Sequence, residues 1–263
     1  MHDQKILLVD IGNSRIKWNL WQHGAAQFSR ETRYVDNKAQ PVERVLSVEW
    51  GNLHGIQAIY IANVAGQDIA QQINRWAKSQ WDIEPKYVIT GASFQSVKNG
   101  YRNYQELGVD RWLAAIGAQY LYPDQQIIVI DCGTAITLDA LSRNGQHHAG
   151  PILPGHQIMQ QSLTANTADL KIPYSTDGTS SVFVENTQNA IISGVNFATS
   201  SALNTIVARM RQKLFDETGM KEVNVIVTGG GAEQLLPLTE ITEFNIVPDL
   251  VLIGLRRLVE INQ

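Results

Sequence analysis

The chain has 263 residues, 44% hydrophobic and 17% charged, with 20 glycines and 8 prolines. That composition excludes the disordered, collagenous and disulfide-stapled classes and suits one large α/β domain or two of about 130 residues each. Twenty-one Lys and Arg against 25 Asp and Glu leave a net charge of −4, so there is no general basic field to attract nucleic acid or an anionic membrane.

The single cysteine, Cys132, cannot form an intrachain disulfide. The start, Met1-His2-Asp3-Gln4-Lys5, shows no secretory pattern. Uninterrupted apolar runs such as 127–130 fall far short of the ~20 residues of a membrane helix. A cytoplasmic protein is expected.

In chain order, the apolar run at 6–9 ends in Asp10-Ile11-Gly12-Asn13, after which Ile16, Trp18 and Leu20 alternate with polar residues. Period-2 alternation after a glycine turn predicts a β-hairpin. Strands are predicted at 58–62 and 87–90. Between them a helix at 67–80 gathers Ile69, Ile73, Trp76 and Ala77 on one face. A helix at 111–121 carries Leu113, Ala114, Ile116, Ala118 and Tyr120, stops before Pro123 and closes a first domain, 1–122.

The opening pattern then repeats. The run at 127–130 ends in Asp131-Cys132-Gly133-Thr134, and Ile136, Leu138 and Ala140 alternate beyond it. Asp10 and Asp131 lie 121 residues apart, a domain-sized interval, which predicts a second domain of similar topology at 123–263. A long helix is predicted at 187–214, with Ala190, Ile191, Val195, Ala198, Ala202, Leu203, Ile206 and Met210 at helical spacing. A strand at 223–227 leads into Gly229-Gly230-Gly231, and Asp249 starts a C-terminal helix.

An Asp-x-Gly-[Asn/Thr] turn between strands can bind a phosphate. Glycine permits φ > 0 and leaves turn N–H groups bare, while the aspartate at the strand end can meet a hydrated cation. Asn13, Ser14, Arg15 and Lys17 add donors and positive charge just past the first turn. Either turn alone is an ordinary hairpin connection. Two of them, each opening a domain, point to nucleotide phosphates. Neither is a dinucleotide or Walker loop, because those pass from strand to helix.

The Gly229–Gly231 stretch offers backbone against which a nucleoside can lie. Asp110 heads the helix at 111–121, where the positive end of the helix dipole lets a carboxylate orient a hydroxyl. Simple pairing with Arg111 is the plain alternative. His147, His148 and His156 lack a third clustered ligand and read as a solvated loop. Trp18 and Trp112 read as core.

These residues resemble a family, the type III pantothenate kinases, within the acetate-kinase, sugar-kinase, hexokinase and actin superfamily. Asp10-Ile-Gly-Asn-Ser-Arg-Ile-Lys-Trp18 resembles its first phosphate motif and Asp131-Cys-Gly-Thr-Ala-Ile-Thr137 its second. Leu107-Gly-Val-Asp-Arg-Trp112 resembles the pantothenate and catalytic segment, and Gly150-Pro-Ile-Leu-Pro-Gly155 a Gly-Gly-x-Ile-x-Pro-Gly signature. The sequence departs from the pattern in two places: Tyr104 stands where the family has proline, and Ala149 replaces the first glycine of the signature.

The resemblance implies an α/β fold of two ribonuclease-H-like (actin-like ATPase) domains with a cleft between them. It implies ATP-dependent phosphorylation of pantothenate to 4′-phosphopantothenate, the first step of coenzyme A biosynthesis. Asp110 would accept the hydroxyl proton, and Tyr101, Gly108, Val109 and Arg111 would hold pantothenate. Asp10, Ile11, Gly12, Asn13, Ser14, Arg15, Ile16 and Lys17, with Gly133 and Thr134, would bind ATP. Mg²⁺ would accompany the phosphates, with Asp10 as its outer anchor, and Asp131 would bind a monovalent cation, K⁺ or NH₄⁺. Thr187 would reach the substrate of the neighbouring subunit in a homodimer. The hairpins alone leave open a kinase for a sugar or other polyol. A non-catalytic regulator is disfavoured by the joint presence of Asp10, Asp110, Arg111 and Asp131.

Overall fold

The computed structural model describes residues 5–22, 33–36, 42–165 and 180–262. Residues 1–4, which enter the expectation of no leader, lie outside the described residues. The chain forms two compact units, Met1–Leu121 with Asp249–Gln263, and Tyr122–Pro248.

The first unit contains β1 (Lys5–Ile11), β2 (Arg15–Gln22), β3 (Arg33–Asp36), α1 (Val42–Trp50), β4 (Ile56–Asn63), α2 (Gln67–Trp81) and β5 (Lys86–Tyr87). A two-strand ribbon, β6 (Ser93–Phe94) and β7 (Val97–Lys98), and helix α3 (Val109–Leu121) follow. The second unit contains β8 (Ile127–Cys132), β9 (Ala135–Leu141), β10 (His147–Pro154), α4 (His156–Ala165), α5 (Thr187–Thr218), β11 (Asn224–Thr228), α6 (Ala232–Leu235) and β12 (Asn245–Ile246). Helix α7 (Leu250–Ile261) ends the chain.

The two sheets share one plan, β3-β2-β1-β4-β5 and β10-β9-β8-β11-β12. In each, three antiparallel strands are followed by two parallel ones. The internal echo of the sequence is therefore a duplicated topology. The echo slips by one residue at the turn, because Asp10 and Asp131 are 121 apart but Ile16 and Ile136 only 120. The first turn places Gly12, Asn13 and Ser14 between its strands, and the second only Gly133 and Thr134.

Alternation puts one face of each sheet into a core. In the first unit Leu7, Val9, Ile11, Ile16, Trp18, Ile59 and Ile61 pack on α1 and α2. There Trp50, Trp76 and Trp81 form an aromatic cluster with centroids 4.9–6.3 Å apart. In the second unit Ile128, Ile130, Cys132, Ile136, Leu138, Val225 and Val227 pack on Leu203, Val207 and Leu214 of α5 and on α6. Trp18 and Trp112 are core residues.

Helix α7 corrects the expected second domain at 123–263, because it packs against α3 and β1 of the first unit. Gly117 and Gly254 make this possible. A Cβ on Gly254 would collide with the Leu113 carbonyl, and one on Gly117 would lie 3.1 Å from the Gly254 nitrogen. The two helices cross with their backbones nearly touching.

The strand expected at 87–90 is shorter, with only Lys86–Tyr87 paired to β4 before Val88 N–H adds one bond to Ile61 O. Helix α5 runs four residues past its expected end. Its buried face includes Ser193, Asn196 and Thr199, while Ala190, Phe197 and Ala198 are exposed. By length and composition α5 is long and apolar enough to cross a membrane, which inspection of uninterrupted runs misses; 44% of its most apolar window is buried in the fold. The histidines also differ from expectation. His147 is fully buried with Nε2 3.0 Å from Asp139, and His156 is buried in α4; neither lies in a solvated loop.

Candidate active site

The first hairpin is built by strand register. Asp10 sits directly across from Lys17 on one face, and Ile11 across from Ile16 on the other. Opposite charges at paired positions support each other, and Asp10 is held at 7% exposure. Ile11 and Ile16 are buried in the core, so only their backbone faces the turn. Gly12 N–H donates to Arg15 O at 2.9 Å and closes the loop that carries Asn13 and Ser14. Gly133 N–H likewise donates to Ala135 O at 3.0 Å. Neither turn glycine takes a positive φ, which corrects that part of the expectation. What each contributes is bare backbone.

Asp131 is the last residue but one of the central strand β8. Register sets Thr137 on one side of it and Thr228 on the other. The glycine loop is folded against this strand end: Gly229 has φ +87°, and a Cβ there would strike the Asp131 carboxylate and the Cys132 backbone. Gly231 N–H donates to Cys132 O at 2.9 Å. Burial, reinforced by the Asp131 charge, pushes the Cys132 thiol up to about 12, so it is no nucleophile near neutral pH.

A third group forms around the head of α3. Asp110 Oδ1 accepts the Arg111 N–H at 2.8 Å, which fixes the carboxylate in the first turn, where the helix dipole favours negative charge. Gly108 is small for this reason, because a Cβ there would come 2.5 Å from Asp110 Oδ1. The Arg111 guanidinium, 6% exposed, donates from Nη1 to the Tyr101 hydroxyl at 3.2 Å and lies over its ring.

Asn99, which the sequence did not single out, holds Tyr101. Its side-chain oxygen accepts the Tyr101 N–H at 2.9 Å while its amide donates to Gly91 O. Tyr104 begins a short 3₁₀ turn, Tyr104–Glu106. Proline is tolerated at the first position of such a turn because the N–H there needs no helical partner, so either residue can start it. Val109 is buried and can offer only backbone.

The structure thus collects Tyr101, Gly108, Asp110 and Arg111 in one place, residues 10–17 in a second, and Asp131, Gly133 and Thr134 in a third. Thr187 stands exposed at the first position of α5, behind an Asn186 cap that accepts the Asn189 N–H. Among the described residues no three His, Cys, Asp or Glu side chains gather as a metal site.

A family model described as type III pantothenate kinase matches residues 6–209. Type III pantothenate kinases of Nitrosococcus oceani and Albidiferax ferrireducens are 34% and 32% identical to the chain. They cover 96% and 95% of it, and the matches take in 92% and 95% of their own lengths. A solved Campylobacter jejuni structure, named for the Baf family of transcriptional activators, matches with TM-score 0.58 at 20% identity over 97% of this chain and 98% of its own. A non-polymerisable quadruple mutant of pCBH ParM matches with TM-score 0.50 at 12% identity over 98% and 99%. These two likenesses concern the fold, a two-domain α/β arrangement of the actin-like ATPase kind.

Proposed function

The chain belongs to the type III pantothenate kinase family, and from that premise we propose which of its residues carry the reaction. The reaction moves the γ-phosphoryl group of ATP to pantothenate, with a divalent ion such as Mg²⁺, and opens coenzyme A synthesis. The observation that supports the assignment best is the Asp110 carboxylate fixed by its own helix head beside the buried Arg111 and Tyr101.

In this reading Asp110 takes the proton of the primary hydroxyl as the hydroxyl oxygen bonds to the γ-phosphorus and the bond to ADP breaks. A carboxylate oxygen accepts more than one donor, so the bond to Arg111 N–H orients Asp110 without ending its capacity. Arg111 and Tyr101 anchor pantothenate, with backbone from Gly108 and Val109. Turn amides of Asn13 and Ser14 beside the open Gly12 backbone, the charges of Arg15 and Lys17, and the second turn at Gly133 and Thr134 hold the phosphates. Catalysis is then positioning and charge neutralisation.

The donors present suit both ions. Mg²⁺ is commonly held by one or two carboxylates plus substrate phosphates rather than by a protein cage, and Asp10 at the first turn supplies such a carboxylate. Asp131, between two threonines, offers hard oxygen donors for K⁺ or NH₄⁺. When bound, each ion offsets phosphate charge.

Large apolar side chains are exposed on the second unit, among them Phe183 at 90%, Val182 at 77% and Leu163 at 49%. That surface favours a homodimer in which Thr187 serves the neighbouring site. The net charge of −4 favours no nucleic-acid or membrane partner. A cytoplasmic location agrees with the need for ATP.

The test is ATP-dependent phosphorylation across pantothenate and a panel of sugars in Na⁺, K⁺ and NH₄⁺ buffers. Turnover of pantothenate alone is expected, rising in K⁺ or NH₄⁺, with Asp131→Asn blunting the rise. Equal rates in all three salts would remove the cation assignment.

A further inference from the structure

We propose that His156 is a positioning residue for ATP, acting through the second hairpin; this rests on the reading that Gly133 and Thr134 meet the phosphates. His156 is the first residue of α4 and is 6% exposed. Its Nε2 lies 2.5 Å from Asn196 Oδ1 on α5, and its Nδ1 lies 3.4 Å from Gln160 Nε2, one turn further along α4. An amide oxygen accepts and an amide nitrogen donates. With the amides oriented so, the proton sits on Nε2, and Nδ1 accepts from Gln160. The ring is shared between two helices. Asn196 and Gln160 are buried with it, so each of these polar groups depends on the others for the bonds it gave up to water.

The other side of His156 leads straight to the turn. Gly155 donates its N–H to Thr134 O at 3.0 Å, and a Cβ at Gly155 would come 2.7 Å from Gly133 O and collide with Thr134 O. The head of α4 is therefore in backbone contact with the turn. Met159 N–H returns to Gly155 O at 3.0 Å, and the Thr199 hydroxyl reaches Met159 Sδ at 3.7 Å. The first turn of α4 is held to the phosphate turn at one end and to α5 at the other. A turn whose amides must face a phosphate depends on such fixed supports, and His156 is the residue where the two supports join.

Steady-state kinetics on the full chain test this. Loss of one buried hydrogen bond is worth roughly fivefold, so His156→Ala is expected to raise the ATP KM about fivefold while the pantothenate KM stays put. Asn196→Leu keeps the buried volume without the acceptor and should raise it equally. The His156→Ala/Asn196→Leu double variant should do no worse than either single, since both remove one contact. His156→Gln places an amide nitrogen where Nε2 lies and should restore most of the ATP KM; it also serves if the alanine variant does not fold. Variants that only melt earlier, with the ATP KM unmoved, would overturn the proposal. Thr134→Ala separates the two readings. If it raises the ATP KM while the His156 and Asn196 variants do not, the hairpin reading stands and the proposal falls. If it leaves the ATP KM unmoved, the hairpin reading fails and the proposal with it.

Discussion

Replacing Asp110 by asparagine keeps the oxygen that accepts the Arg111 N–H but removes the ability to take a proton. Turnover is expected to fall by roughly 10²–10⁴ with ATP binding nearly unchanged. Single-turnover assays beside nucleotide titrations measure this, and a variant with most of its activity would end the general-base role. Cys132 behaves in the opposite way. Burial first and the Asp131 charge second raise its pKa from 9.0 to about 12. The folded chain then keeps a proton that the unfolded chain releases above pH 9. This group's contribution to stability is whole below pH 9 and drains away as pH climbs toward 12. The urea midpoint should therefore drop through that window, less steeply in Cys132→Ala. At pH 8 iodoacetamide should label only the unfolded chain, and labelling of the folded chain would contradict the burial.

Among the elements, the crossing of α3 and α7 depends on two absent side chains. Gly254→Ala puts a methyl group against the Leu113 carbonyl. Overpacking of this kind costs about 1–3 kcal/mol, and since the obstacle is backbone, no rotamer change relieves it. Thermal melting should show a lower first transition, whereas an unchanged melt would mean that the helices re-space without cost. The helices also show where periodicity misleads. In α5 the apolar residues lie all round, and the buried face is fixed by Asn196 and Thr199 meeting α4. No count of apolar positions ranks an asparagine as core. Helix α1 carries the spacing Val42, Val45, Leu46 and Trp50, but nine residues barely repeat a 3.6-residue period.

At the scale of the whole molecule, the proposed dimer makes each site depend on two chains. Light scattering should report a dimer. Mixing Asp110→Asn with Thr187→Ala chains, after subunit exchange, should restore activity, because each hybrid holds one site with an intact Asp110 and an intact Thr187. A mixture no more active than its inactive parents, despite proven exchange, would rule out the shared site. So would an active monomer.

The sequence by itself determined the duplicated architecture and the two glycine turns proposed to meet phosphates. Four apolar residues followed by Asp-x-Gly can be seen without coordinates, and alternation beyond the glycine fixes which side chains share a face. It also placed Asp110 at a helix head, since Pro123 and the apolar spacing bound that helix. Tertiary structure decided the rest. The partner of α7 is set by Gly117 and Gly254, residues 137 positions apart whose meaning appears only when the backbones touch. The same holds for Asn99 behind Tyr101, for Thr137 and Thr228 beside Asp131, and for His156 between two helices. Each is a polar or small residue with no periodic signal. Its role comes from what long-range packing brings within hydrogen-bond reach, because burial turns an ordinary polar side chain into one that must find a partner.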